Sequence, residues 1–261
     1  MFGGKLNHEA QFFVDGYELS GIESIDITTQ NSNSIGKPLG SSKGVLFSNG
    51  PVQQKVAVSR YLIYDDPIFN YTGDSSISGS IEYEGSSYGF NSGYLSNYSV
   101  NCAVGAIPKV NANFDVYDEM RSGVSASGSA VHPDIYIPSQ GSISVTCDNS
   151  TTNRVVGFDY AVNSQRAVYY TLGQKEASSV VFIPPLEYSA SVQIQVDDAF
   201  LSSGFNFIDS REDKTVSFTI NGRNGSAIQT LTIPKASIVA EQLRSSADGS
   251  MELTINYIGH S

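Results

Sequence analysis

The stretch YLSNYSVNCAVGAIPKVNANFDVYD, Tyr94 to Asp118, decides the fold. Successive side chains of a β-strand point to opposite faces. On the second limb Val110, Ala112, Phe114 and Val116 therefore share one face, and Asn111, Asn113 and Asp115 share the other. On the first limb Asn97, Ser99 and Asn101 alternate with Tyr98, Val100 and Cys102. With the turn residues GAIPK between the limbs, the segment is predicted as a long hairpin, oily on one side and lined by amides and hydroxyls on the other.

The same grammar extends outward. Upstream, QFFVDGYELSGIESIDIT (Gln11 to Thr28) carries Asp15-Gly16, a strong two-residue hairpin turn, and Gly21 punctuates the approach to a strand bearing Ile25 and Ile27. Lys55 to Tyr64 and Ser76 to Tyr83 again have strand character. Between Thr28 and Lys55, residues 29–52 are so rich in Gly, Ser, Asn and Pro that a long loop outside the core is predicted. At the far end Ala236 to Ile258 reads as a second long hairpin: ASIVAEQL, a turn at Ala247-Asp248-Gly249, then MELTINYI. Its last strand sets Met251, Leu253, Ile255 and Tyr257 against Glu252, Thr254 and Asn256. No apolar run has helical spacing, so the chain is mainly β.

In the middle, RSGVSASGSA (Arg121 to Ala130) is followed by a segment holding Pro133 and Pro138, which suits neither helix nor central strand. Residues 121–140 are predicted as a linker. Beyond it the pattern restarts: Gly141 leads SISVTC as Gly21 leads IESIDIT, YSASVQIQV (Tyr188 to Val196) stands for SISGSIEY, and the final hairpin repeats the first. The expectation is two tandem β-sandwich domains, 1–120 and 141–261, diverged from one unit.

Composition narrows the function. A net charge of −11 and scattered basic residues exclude an electrostatic hold on a phosphate backbone. The chain lacks a run of about 18 apolar residues, and MFGGKLNHEAQFF does not read as a signal peptide, so a soluble protein with no membrane association is expected. Cys102 and Cys147 each fall on an apolar side and are expected to be buried free thiols.

Catalytic chemistry is equally unsupported. Gly40-Ser41-Ser42-Lys43-Gly44 and Gly85-Ser86-Ser87-Tyr88-Gly89 match a nucleophile-elbow pattern but lack its strand-to-helix setting. The three histidines, His8, His132 and His260, lie at the termini and in the linker. Asp65-Asp66 and Asp197-Asp198 are read as solvated loop carboxylates rather than calcium ligands, there being no dense array of oxygen ligands around them. No enzyme, cofactor or metal is expected. What remains is duplication, long two-faced hairpins and an acidic balance, which suit a subunit that packs beside its neighbours and turns one sheet face to a shared space.

FFVDGYELSGIESIDIT and NGPVQQKVAVSRYLIYDDPIFNYTGDSSISGSIEY (Asn49 to Tyr83) resemble bacteriophage tail proteins of the tail-tube fold, and Tyr94 to Tyr117 and Ala236 to Tyr257 look like the long inner hairpins of such domains. The resemblance implies tail-tube sandwiches whose hairpins join edge to edge into an oligomeric β-barrel. It also implies a homo-oligomeric ring, with a trimer of pseudo-sixfold symmetry favoured over a hexamer. Other tail proteins would be partners, and the chain would reside in the virion tail after assembly in the host cytoplasm. Asn97, Ser99, Asn101, Asn111, Asn113, Asp115, Glu252, Thr254 and Asn256 would face a lumen through which viral DNA passes without specific binding. Loop 29–52 would contact the next ring. Within this reading a tube subunit stands beside a terminator, neck or distal ring protein. The competing reading is a two-domain adhesin or carbohydrate-binding module, which accounts for 15 Tyr but not for the absence of Trp.

Overall fold

The computed structural model describes residues 11–36, 45–62, 66–83, 85–125, 129–130, 137–148, 150–198, 200, 214–222, 224–245 and 251–261. They are mainly strand, in one large sheet that is antiparallel but for a single short pairing. In chain order the strands are β1 (Gln11–Val14), β2 (Tyr17–Glu18), β3 (Ile22–Gly36), β4 (Val45–Tyr61), β5 (Ile77–Tyr83), β6 (Ser86–Ala103), β7 (Lys109–Val116), β8 (Arg121–Ser122) and β9 (Ser129–Ala130). There follow β10 (Ile143–Cys147), β11 (Ser150–Thr152), β12 (Val155–Tyr169), β13 (Ser179–Gln195), β14 (Lys214–Asn221), β15 (Ala227–Ser245) and β16 (Met251–His260).

Eight long strands lie side by side in the order β3-β4-β7-β6-β12-β13-β16-β15. The shorter strands continue this sheet from the outer ends of β6 and β15: β5, β1 and β2 from β6, and β14, β10 and β11 from β15. These extensions fold back over the inner face of the long strands. Phe218 of β14 stacks on Phe158 of β12 at 5.1 Å between ring centroids and meets Tyr257 of β16 edge-on at 6.3 Å. The alternation of Val110, Ala112, Phe114 and Val116 thus points into a core that the folded-back strands cover, and all four are buried.

The pairings of residues 11–116 recur in residues 143–260. The β1-β2 hairpin turns at Asp15 and β10-β11 at Asp148, and these two are the non-glycine residues with positive φ among those described. β1 pairs β5 as β10 pairs β14; β5-β6, β6-β7, β4-β7 and β3-β4 recur as β14-β15, β15-β16, β13-β16 and β12-β13. Even the irregularities match. The register of β6-β7 slips between Leu95 and Asn97, and that of β15-β16 between Ile238 and Ala240. The slip between Ile22 and Ser24 in β3-β4 has its twin between Val155 and Gly157 in β12-β13. A bulge is a fixed local departure from the ladder, so coincident bulges pin the correspondence residue by residue.

This correspondence corrects the register read from sequence. SISVTC is β10 and matches QFFV of β1, not the Ile25 strand; YSASVQIQV belongs to β13 and matches β4; SISGSIEY matches β14. Only the final hairpin was aligned with its proper partner. The predicted loop 29–52 is also corrected, because β3 runs to Gly36 and β4 starts at Val45, paired across Gly36 and Val45. The ladder of this ribbon runs along a sequence with no apolar alternation, so periodicity could not reveal it. Residues 37–44 lie outside the described ones. Within 121–140, Arg121–Ser122 pairs with β6 and Ser129–Ala130 runs parallel to β2.

Cys102 is buried and Cys147 half-buried, both free; burial pushes the Cys102 thiol up to about 12. Asp66 departs from the expected solvated carboxylate, while Asp65 lies outside the described residues. Asp66 is fully buried, ion-paired with Arg60 of β4, accepts from Tyr98 Oη at 3.0 Å, and caps the 3-10 helix Pro67–Tyr71 by accepting from Ile68 N at 2.9 Å. A buried carboxylate needs such partners, since leaving it bare in the core is costly. Its backbone N–H donates to Gln229 of β15 and Phe69 packs on Tyr160 of β12, so the helix ties the two halves together. Asp197 holds the matching place, capping Phe200 N at 2.8 Å and pairing with Arg154 at 3.2 Å, half exposed.

Candidate functional site

Side chains on the outer face of the eight long strands form one continuous polar surface. Cross-strand neighbours on one face are the unit of contact in a sheet, so paired positions read as rows. One row runs Asp26, Ala57, Asn113, Asn97, Asn163, Glu187, His260, Lys235 from β3 to β15. The next runs Ser24, Ser59, Asn111, Ser99, Ala161, Ser189, Ile258, Ser237. A third runs Tyr61, Lys109, Asn101, Asp159, Ser191, Asn256, Ala240.

All nine residues singled out from sequence are on this face, exposed or half-buried: Asn97, Ser99, Asn101, Asn111, Asn113 and Asp115 from β6 and β7, and Glu252, Thr254 and Asn256 from β16. Asn101 and Asn256, far apart in sequence, fall in one row because β12 and β13 bridge them. The amides interlock. Asn113 Nδ2 donates to Asn97 Oδ1 at 3.3 Å, and Asn97 Nδ2 donates to Asn163 Oδ1 at 2.7 Å; Asn101 Nδ2 donates to Asp159 Oδ1. Such a chain orients each amide and presents fixed dipoles rather than mobile charges.

Sequence reading missed the β12 and β13 members, Asp159, Asn163, Glu187 and Ser191. Their signal was available in FDYAVN, where Phe158, Tyr160 and Val162 are buried while Asp159, Ala161 and Asn163 are not. The face also carries cations that sequence reading did not place there. Lys109 is held by both oxygens of Glu23 at 2.8 Å, which lowers the carboxyl pKa and raises that of the ammonium. Lys55 approaches Asp115 at 3.9 Å, and Arg244 pairs in register with Glu252.

Residues of β6, β7, β12, β13, β15 and β16, among them Asn101, Asn111, Asp159, Ser191 and Asn256, wall an open groove of about 500 Å³ on this face. A second of about 380 Å³ adjoins it, with Asn163, Glu187, Lys235 and His260 in its walls. Both hollows open on the polar side of the sheet and share Ser189 and Ile258. No group of His, Cys, Asp or Glu suited to a metal occurs among the described residues. His8, His132 and the motif at Gly40 lie outside them; Gly85 is a turn residue and Ser86 to Gly89 belong to β6. No helix among them is long and apolar enough to cross a membrane.

No protein-family model matches this chain, and a search of curated proteins finds no relative. The class it defines is a mainly β protein with a large, chiefly antiparallel sheet.

Proposed function

We propose that the chain is a structural subunit of a bacteriophage tail tube, built of two tandem tail-tube domains and forming stacked rings around a channel for DNA. The observation that carries this reading is the repeated pairing pattern, which sets two four-strand blocks edge to edge with their polar faces continuous. Because sheets twist and coil, eight strands laid edge to edge make an arc, and repetition of the joint in further copies closes the arc into a barrel. Three chains supply six blocks. The polar face lies inward, where interlocked asparagines and the carboxylate-held Lys55 and Lys109 leave a phosphate backbone little free positive charge to stick to, so DNA slides.

Electron microscopy of purified protein at high concentration tests this. Rings or short tubes with a central hole are expected. A dispersed monomer overturns the reading, and a monomer that binds glycans favours the adhesin.

A further inference from the structure

The halves of the chain meet along β6 and β12, in the register Cys102 to Phe158, Asn101 to Asp159, Val100 to Tyr160, Ser99 to Ala161, Tyr98 to Val162 and Asn97 to Asn163. The repeat makes β15 the counterpart of β6, and β3 the counterpart of β12. From the matched bulges, Asn101 corresponds to Arg244 and Val100 to Leu243; Asp159 corresponds to Asp26 and Tyr160 to Ile27.

These counterparts are the ends of the row of long strands. Beyond its pairing with β14, which stops at Ala236, the outer edge of β15 pairs with nothing among the described residues, and neither does the outer edge of β3. The side chains record the difference. In the joint Val100 and Tyr160 are each 1% exposed; their counterpart Leu243 is 61% exposed and Ile27 only half-buried. An open edge with unpaired N–H and C=O groups and an uncovered leucine is a template for another strand.

We infer that β15 of one chain pairs antiparallel with β3 of a second copy in the register of the β6-β12 joint, with Arg244 against Asp26 and Leu243 against Ile27. The proposal rests on the ring reading and specifies its contact. Charge is what singles out this occupant. Where the internal joint puts Asn101 on Asp159, the same register puts a guanidinium on a carboxylate, while Glu241 meets the Thr29 hydroxyl. A slip by one residue would turn Arg244 to the opposite face from Asp26, so the pair also fixes register.

A charge swap tests it, read by native mass spectrometry and sedimentation across a concentration series. Asp26→Arg alone and Arg244→Asp alone are each expected to raise the concentration for half-assembly by at least ~10-fold, since each sets like charges together. The double variant D26R/R244D should restore assembly to within a few-fold of the parent. Unchanged melting curves establish that the single variants stay folded, as expected of exposed positions. If the parent assembles and the single variants assemble equally well, or the double variant fails to recover, this contact is wrong although the ring reading survives. A parent that stays monomeric at every concentration overturns both.

Discussion

Asp66→Ala should cost about 3–5 kcal/mol of stability in urea unfolding, the largest loss expected from any single side chain here. The substitution strands the Arg60 guanidinium, which is 0% exposed and whose N–H groups find no hydrogen-bond acceptor among the described residues beyond the ion pair itself. It also removes the acceptor for Tyr98 Oη and the cap of the 3-10 helix. Because that helix touches β12 and Asp66 N–H is held by Gln229, both halves should unfold in one transition at lower urea. The second half marks the way out: Ile194 occupies the place of Arg60. Arg60→Ile with Asp66→Asn leaves no buried charge and keeps an acceptor for Ile68 N, so the double variant should be more stable than Asp66→Ala alone. A loss below about 1 kcal/mol for Asp66→Ala would mean that the guanidinium is not sealed from water.

The second large effect is a packing exchange. Phe90 is buried against Gly79 and Gly93: a Cβ on Gly79 would sit 2.5 Å from Phe90 Cζ, and one on Gly93 2.4 Å from Cε2. The corresponding positions in the second half are Ile233, Val216 and Ala236, where a smaller side chain leaves room for larger neighbours. Gly93→Ala alone should therefore destabilise by about 1–3 kcal/mol through overpacking. In a Phe90→Ile background the same alanine should cost close to nothing, leaving a coupling energy of about 1–2 kcal/mol in the double-mutant cycle. Additive effects would show that the ring does not rest on Gly93.

Two-faced strands were legible because one burial period governs them: the hairpins at Tyr94 and Ala236 and the turn at Asp15-Gly16 follow from alternation and turn chemistry. That the strand pattern recurs was legible, but the register of the recurrence was not. Matching strands share burial pattern rather than residues, as with Phe90 and Ile233, and pattern alone permits several alignments. The better guide was three pairs of aspartates with local geometric duties. Asp15 and Asp148 turn a hairpin, Asp66 and Asp197 cap a helical turn, and Asp26 and Asp159 lie on the polar face. Asp15 and Asp26 stand at the same interval as Asp148 and Asp159. Arg60 is legible as a strand residue but not as a buried charge, because its partner, Asp66, reads as a solvated loop carboxylate.

The candidate face was legible only where both limbs of a hairpin were recognised. Its β12 and β13 portion is interrupted in sequence by apolar residues on the outer side of the far end of the ribbon, Val181 and Ile183, both exposed. Tertiary pairing, not local pattern, unites Asn101 with Asn256.

The central claim is that the polar face encloses a channel made by repeating one joint. A three-dimensional reconstruction of the assembled particle tests it most directly. Asn97, Asn113, Asn163 and Asn256 should line the central hole, with β15 of each chain laddered to β3 of the next. A particle in which those asparagines face outward, or in which β3 and β15 remain open edges, would contradict it.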